Sequence, residues 1–298
     1  MLVPIKIPKD SSFIGKIFRL TDPLLANRCY LVESKAAKEI LTNHFLVGTP
    51  LVHKSHQAVK DCLTAYSHLL AYPSSAAQVA EVVPLSGALT YDLLNAYFEQ
   101  FHQMINRCFI GIRRFQKPDG SWDTQASYSN FEGLSEETNL VFIGDTIATG
   151  VTMTRVIQMV QAHIQSPVHF IIISIAGSFI GAQRIIKLEK SLQSSFKGTT
   201  IHCFFTQAFF GLETNGTDMP ILHPDTITTN EFRDYARSKL GDYLGRHLCS
   251  VLDWGKRTNS PQKHLEELNH VLLQFQELNK GDVFIQNMLS QLNSNALP

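Results

Sequence analysis

An excess of charge of either sign is the first thing this 298-residue chain lacks: 26 Lys plus Arg balance 26 Asp plus Glu. No overall field therefore recruits nucleic acid or an anionic membrane surface, although a local basic cluster can still hold a small polyanion. Cysteine is sparse and unpaired in pattern. Cys29, Cys62, Cys108, Cys203 and Cys249 are odd in number, far apart and form no C-x-x-C, which argues against a disulfide framework or a zinc site and for a reducing compartment. Long apolar runs are missing too. The most apolar stretch, residues 170–176, is far too short to cross a bilayer, and residues 1–10 interrupt their apolar runs with Lys6, Lys9 and Asp10, leaving no signal-peptide core. These shortages predict a soluble, cytoplasmic protein with neither nucleic acid nor membrane as partner.

What the chain does have is length for a sizeable core, as one domain with extensions, and one informative stretch at residues 140–152, L-V-F-I-G-D-T-I-A-T-G-V-T. Four consecutive apolar residues, Leu140 to Ile143, fit a strand buried on both faces. Met153, Val156, Ile157, Val160 and Ile164 then follow at helical spacing. The turn between them, Ala148-Thr149-Gly150-Val151-Thr152, combines small residues, two hydroxyls and a glycine that permits close backbone approach. Two readings fit it. Thr149 or Thr152 caps the helix, or the uncapped N–H groups and positive dipole end hold a phosphate.

The same strand–turn–helix unit recurs along the chain. A weakly alternating N-terminal region with a helical patch at residues 36–41 reads as a cap, which residues 207–240 could extend. His53-Lys54-Ser55-His56 reads as a polar helix start rather than a metal site, because no third ligand follows. A helix from Gln57 to about Ala71 ends at Pro73-Ser74-Ser75. Then come a strand at 79–84, the small turn Leu85-Ser86-Gly87-Ala88, a helix from Leu89 to Ile105 and a strand at 108–112. Residues 113–137 are polar, a mobile loop or a hairpin. Further strands are expected at 168–175 and 200–205, with a helix at 182–192 between them. Repetition of the unit predicts an α/β fold: a Rossmann-like, mainly parallel sheet with helices on both faces. Asn215-Gly216-Thr217 matches a glycosylation sequon but is better read as turn chemistry. From Ser260 an amphipathic tail runs through Leu265, Leu268, Leu272, Phe275 and Leu278 to a stop at Gly281, then Phe284, Met288 and Leu292. Its apolar face packs on its own domain or, in a homodimer, on a second copy. The expected divisions are 1–52 for the cap, 53–258 for the main domain and 259–298 for the helical extension.

The turn after the central strand resembles the signature of the type I phosphoribosyltransferases, and the ordered stations resemble the uracil phosphoribosyltransferases most. Those stations read Val82-Val83-Pro84-Leu85-Ser86-Gly87-Ala88-Leu89, Ile110-Gly111-Ile112-Arg113-Arg114, the polar segment to Glu137, Gly144 to Gly150, and Leu240-Gly241-Asp242-Tyr243-Leu244-Gly245-Arg246. The resemblance implies transfer of ribose 5-phosphate from phosphoribosyl pyrophosphate to a nucleobase, with Mg²⁺ as cofactor. It assigns Ala148, Thr149, Gly150, Val151 and Thr152 to the 5′-phosphate and Asp145 to the ribose. Arg114, with Ser86 and Gly87, would meet the pyrophosphate, and Gly241, Asp242 and Arg246 the base. The chain departs from the pattern at Gly144, where the family carries an acid, and at Leu85-Ser86, where it carries an arginine. Those departures leave a second reading, a catalytically inactive relative that binds a phosphorylated ribose or nucleotide as a regulator.

Overall fold

A computed structural model of the chain describes residues 1–7, 15–70, 72, 75–85, 87–120 and 122–294. The first elements are β1 (Leu2–Ile5), β2 (Ile17–Leu20), β3 (Cys29–Val32), α1 (Lys35–Thr42), α2 (Gly48–Leu69), β4 (Val79–Pro84), α3 (Leu93–Phe101), β5 (Asn106–Gln116) and β6 (Trp122–Asn130). The middle of the chain gives β7 (Leu140–Gly144), α4 (Val151–Ile164), β8 (His169–Ser174), β9 (Gly177–Ser178), α5 (Phe179–Gln193) and β10 (Thr200–Thr206). It closes with β11 (Ala208–Phe210), β12 (Ile227–Thr228), α6 (Asn230–His247), α7 (Trp254–Asn259), α8 (Pro261–Leu278) and α9 (Val283–Ser294).

One sheet runs in the order β1-β2-β3-β10-β8-β7-β4-β5-β6. From β3 to β5 every neighbouring pair is parallel, while β1, β2 and β6 add antiparallel edges. The fold is therefore α/β with a mostly parallel sheet. Successive residues of a strand point to opposite faces, so Leu140 and Phe142 join a core with α2, α3 and α6, and Val141 and Ile143 join another with α4 and α5. Continuous apolar runs are what a sheet covered on both faces requires.

The N-terminal region does not form a cap. Its strand β3 pairs in parallel with β10, and β1 and β2 extend that edge. Nor do the expected divisions separate packed units. Residue 52 lies inside α2 and residue 258 inside α7, and one hydrophobic cluster joins Ile17 and Val32 to Leu268, Leu272 and Ile285. His53 and His56 fall within α2, not at its start. His56 binds Asp92 through Nδ1 at 2.9 Å and Glu99 through Nε2 at 3.2 Å, a tie between helices rather than a metal site. At the sequon, Asn215 Oδ1 accepts from the N–H groups of Thr217 and Asp218, so turn chemistry is what the side chain performs.

Three histidines are buried without charge. Burial holds His44 and His202 at about 3 and His264 at about 4, with nearby Arg257 or Arg28 adding to the effect. In the unfolded chain each regains an ordinary value near 6.5 and binds a proton that the native state refuses. Their contribution is therefore complete above the unfolded value and is lost as pH falls toward the folded one. Glu81 and Asp61, raised by burial, act in the opposite sense at lower pH. Melting temperature should fall between about pH 7.5 and 5.5, with a limiting slope near ~1.4 kcal/mol per pH unit for each histidine. A flat profile over that interval in a thermal melt would contradict the burial.

Candidate functional site

The turn from β7 into α4 lies at the C-terminal end of the sheet, where open α/β sheets place their ligands. Gly150 is the residue before α4, at φ +74°, and its carbonyl accepts from Thr154 N–H at 2.9 Å. No side chain caps this helix. Thr149 and Thr152 thus do not play the role of caps, and the positive end of the helix dipole lies at this turn.

A second turn braces this one. Ile147 N–H donates to Ala176 O at 3.0 Å and Ser178 N–H to Ile147 O at 2.8 Å. Ser178 Oγ then donates to Ala148 O and accepts from Gly181 N–H. The two backbones touch at glycines: a Cβ on Gly150 would lie 2.8 Å from Gly181 O, and one on Gly181 would lie 2.5 Å from Ala148 O. The signal was present as Gly177-Ser178-Phe179-Ile180-Gly181, but its partner in space is not readable from the linear sequence.

Around the turn lies a cavity of about 330 Å³, within the usual range for small-ligand pockets. Arg114, Asp145, Ala148, Thr149, Gly150, Val151 and Thr152 all line it. The sequence did not point to the rest of the wall, which comes from residues 217–219 and 249–254. Met219, Val251, Leu252 and Trp254 make it apolar in part, and Asp218 and Asp253 add two carboxylates. Asn215 donates to Asp218 at 2.8 Å, and Lys256 pairs with Asp253 at 3.0 Å. Cys249 also faces the cavity, but burial pushes its thiol up to about 12, so it is no thiolate nucleophile near neutrality.

Asp145 is buried, and one of its oxygens accepts from Thr146 N–H at 2.8 Å. Gly144, where the resembled family has an acid, faces the ring of Tyr91: a Cβ there would lie 3.0 Å from Tyr91 Cδ1. Tyr91 is itself buried, accepts from Ile175 N–H at 3.1 Å and is held protonated first by burial and then by the charge of Asp145. A side chain at residue 144 would therefore press on the Tyr91 ring.

Gly87 packs on the cavity wall without lining the cavity, its Cβ position 2.9 Å from Trp254 Cδ1. Ser86 lies outside the described residues. The three base-site candidates are not at the cavity. Gly241, at φ +70°, forms a kink in α6 against Phe284, while Asp242 and Arg246 are exposed and Asp242 pairs with Arg237 at 2.9 Å. That station instead carries the chain to residues 249–254, which do line the wall.

Among the described residues no group of three or more His, Cys, Asp or Glu side chains could hold a metal ion, and no helix is long and apolar enough to cross a membrane. No protein-family model matches the chain, and no curated protein matches it. Among solved structures, a hypoxanthine phosphoribosyltransferase from Staphylococcus aureus aligns with 50% of this chain and 73% of its own at 11% identity, with a TM-score of 0.33. An adenine phosphoribosyl transferase from Trypanosoma brucei, in complex with AMP, pyrophosphate and ribose-5-phosphate, aligns with 70% of this chain and 95% of its own at 12% identity, with a TM-score of 0.37.

Proposed function

We propose that the cavity binds phosphoribosyl pyrophosphate and that the protein transfers ribose 5-phosphate to a ring nitrogen of a nucleobase, uracil being the first to test. One observation carries this reading: Arg114 of β5 lines the same cavity as Asp145 and the uncapped turn at 148–152, which follow β7 about 30 residues later in the sequence. In the proposed reaction the C1′–oxygen bond to pyrophosphate breaks as the base nitrogen bonds C1′, and the nitrogen's proton leaves to solvent. The turn would hold the 5′-phosphate through its N–H groups. Asp145 would accept from ribose hydroxyls and face the positive charge that builds on the sugar, and the guanidinium of Arg114 would meet the departing pyrophosphate.

The charge of the cavity bears on the cofactor. Three carboxylates, Asp145, Asp218 and Asp253, line it against one arginine, Arg114. A bare diphosphate is repelled by that set, whereas a diphosphate neutralised by Mg²⁺ fits it, and magnesium commonly needs only one or two protein carboxylates beside phosphate oxygens. Asp145 would be the protein carboxylate nearest that role, with Mg²⁺ supplying charge neutralisation. Chelation should therefore weaken phosphoribosyl pyrophosphate binding at least about tenfold, read by calorimetry with and without EDTA.

The direct test is pyrophosphate release from purified protein given phosphoribosyl pyrophosphate, Mg²⁺ and a panel of bases. Release that depends on one base, and drops at least about tenfold in Asp145→Asn, identifies the acceptor; no release with any base rejects transfer. Gly144 favours a second reading, a protein that binds a phosphorylated ribose or nucleotide as a regulator without turnover, because any side chain there would press on the ring of Tyr91. Saturable binding with no product from any base selects it.

A further inference from the structure

A second cleft, about 370 Å³, lies on the other side of the start of α4 and shares Val151 with the first cavity. It is bounded by Asp123 and Thr124 of β6, Thr154 and Arg155 of α4, and Arg184 of α5. Its charge is the reverse of the first cavity's. Arg155 and Arg184 come from different helices, and neither makes a hydrogen bond or salt bridge among the described residues. The pKa of the single carboxylate, Asp123, is held down mainly by Lys117, which pairs with it at 2.7 Å, then by Thr124 N–H, which donates to it at 2.7 Å, and more weakly by the charge of Arg155. Thr154 Oγ lies buried in the wall with no partner, where a helical threonine ordinarily bonds back to its own helix.

Two guanidiniums in one concave, hydroxyl-bearing cleft exceed the one carboxylate that Asp123 supplies there, and their planar donor forks match phosphate oxygens. We propose that this cleft is a second anion site that takes a phosphate or diphosphate group without magnesium, whether inorganic or carried on a small molecule, between Arg155 and Arg184. The assignment is independent of the reaction proposed for the first cavity. The two sites differ in what they require: the carboxylate-rich cavity calls for Mg²⁺, and the arginine cleft does not.

That difference supplies the experiment. Inorganic pyrophosphate is titrated calorimetrically into the full chain in EDTA, with ribose 5-phosphate in a parallel titration. We expect one saturable, salt-sensitive event in the parent protein, weakened at least about tenfold in Arg155→Gln/Arg184→Gln and unchanged in Asp145→Asn. Both arginines are exposed, so the double variant should melt like the parent, and a melt confirms that its loss is one of binding. Binding of either probe that disappears in the double variant supports the site, and which probe binds more tightly tells a free diphosphate from a carried monophosphate. No saturable event in EDTA, or one the double variant keeps, overturns the proposal.

Discussion

Gly150→Val should abolish saturable phosphoribosyl pyrophosphate binding, lowering affinity by at least about a hundredfold, through two effects that act on the same backbone. At φ +74° a β-branched residue is strained, costing on the order of 1–2 kcal/mol or more. The added Cβ would also lie 2.8 Å from Gly181 O, and the neighbour that must yield is backbone held by Ser178. Relief comes only by moving residues 148–152 or the start of α5, and either motion tilts the N–H groups that would face the phosphate. Gly281→Val is the matched control, since Gly281 has φ +97° with nothing within 4 Å of its Cβ position. The control should pay the strain and keep the binding. Equal binding by parent and Gly150→Val, measured by calorimetry, would remove the phosphate role from the turn.

Why that turn was legible and its surroundings were not follows from where each signal resides. Strand β7, the turn and α4 are contiguous, so apolar run, glycine and helical spacing appear together in one window of sequence. Strand β3 is just as buried, with all four of Cys29 to Val32 inaccessible or nearly so. Its four residues are a short run, and Arg28, Glu33 and Ser34 flank it, so the window lacks the glycine-bearing turn that marks β7, although the helix α1 follows at once. The polar stretch at 113–137 was open between loop and hairpin, and β5 and β6 resolve it as a hairpin with a shift of register between Gly111 and Ile112. The far wall of the cavity had no such window. Residues 217–219 and 249–254 lie on either side of α6 in sequence and are joined in space by the pairing of Pro220 with Cys249 and by Ser250 N–H donating to Met219 O at 3.1 Å. Gly144 shows the limit from the other side: in sequence it is a departure from the resembled pattern, whereas in space it is the clearance for Tyr91, 53 positions earlier in the chain.

Arg257→Ala should cost about 3–5 kcal/mol of stability and roughly 10 °C of melting temperature, far more than a surface arginine would. The guanidinium is fully buried yet has no carboxylate partner among the described residues. It donates instead to three backbone carbonyls, Asn43 O at 2.8 Å, Leu46 O at 3.0 Å and Ile40 O at 3.3 Å. These sit at and beyond the end of α1, where carbonyls lack helical partners and the dipole favours a cation. Burial lowers its pKa only to about 10, so it stays charged at neutral pH. Removing it takes the side-chain donor from the carbonyls of buried Ile40 and half-buried Leu46, each worth on the order of 1–3 kcal/mol unpaired, while Asn43 O keeps its bond from Leu46 N–H at 3.3 Å, and it opens a void beneath Trp254. Arg257→Lys should recover only part of the loss, because one ammonium cannot span the three acceptors that the planar fork reaches. Since Trp254 and Arg257 share α7, hydrogen exchange through residues 249–259 should quicken before the sheet opens, and ligand affinity should fall with it. An unchanged melt in Arg257→Ala would mean that α8 and α9 hold this wall by packing alone, through Leu268, Leu272 and Ile285. The carbonyl clamp would then be dispensable.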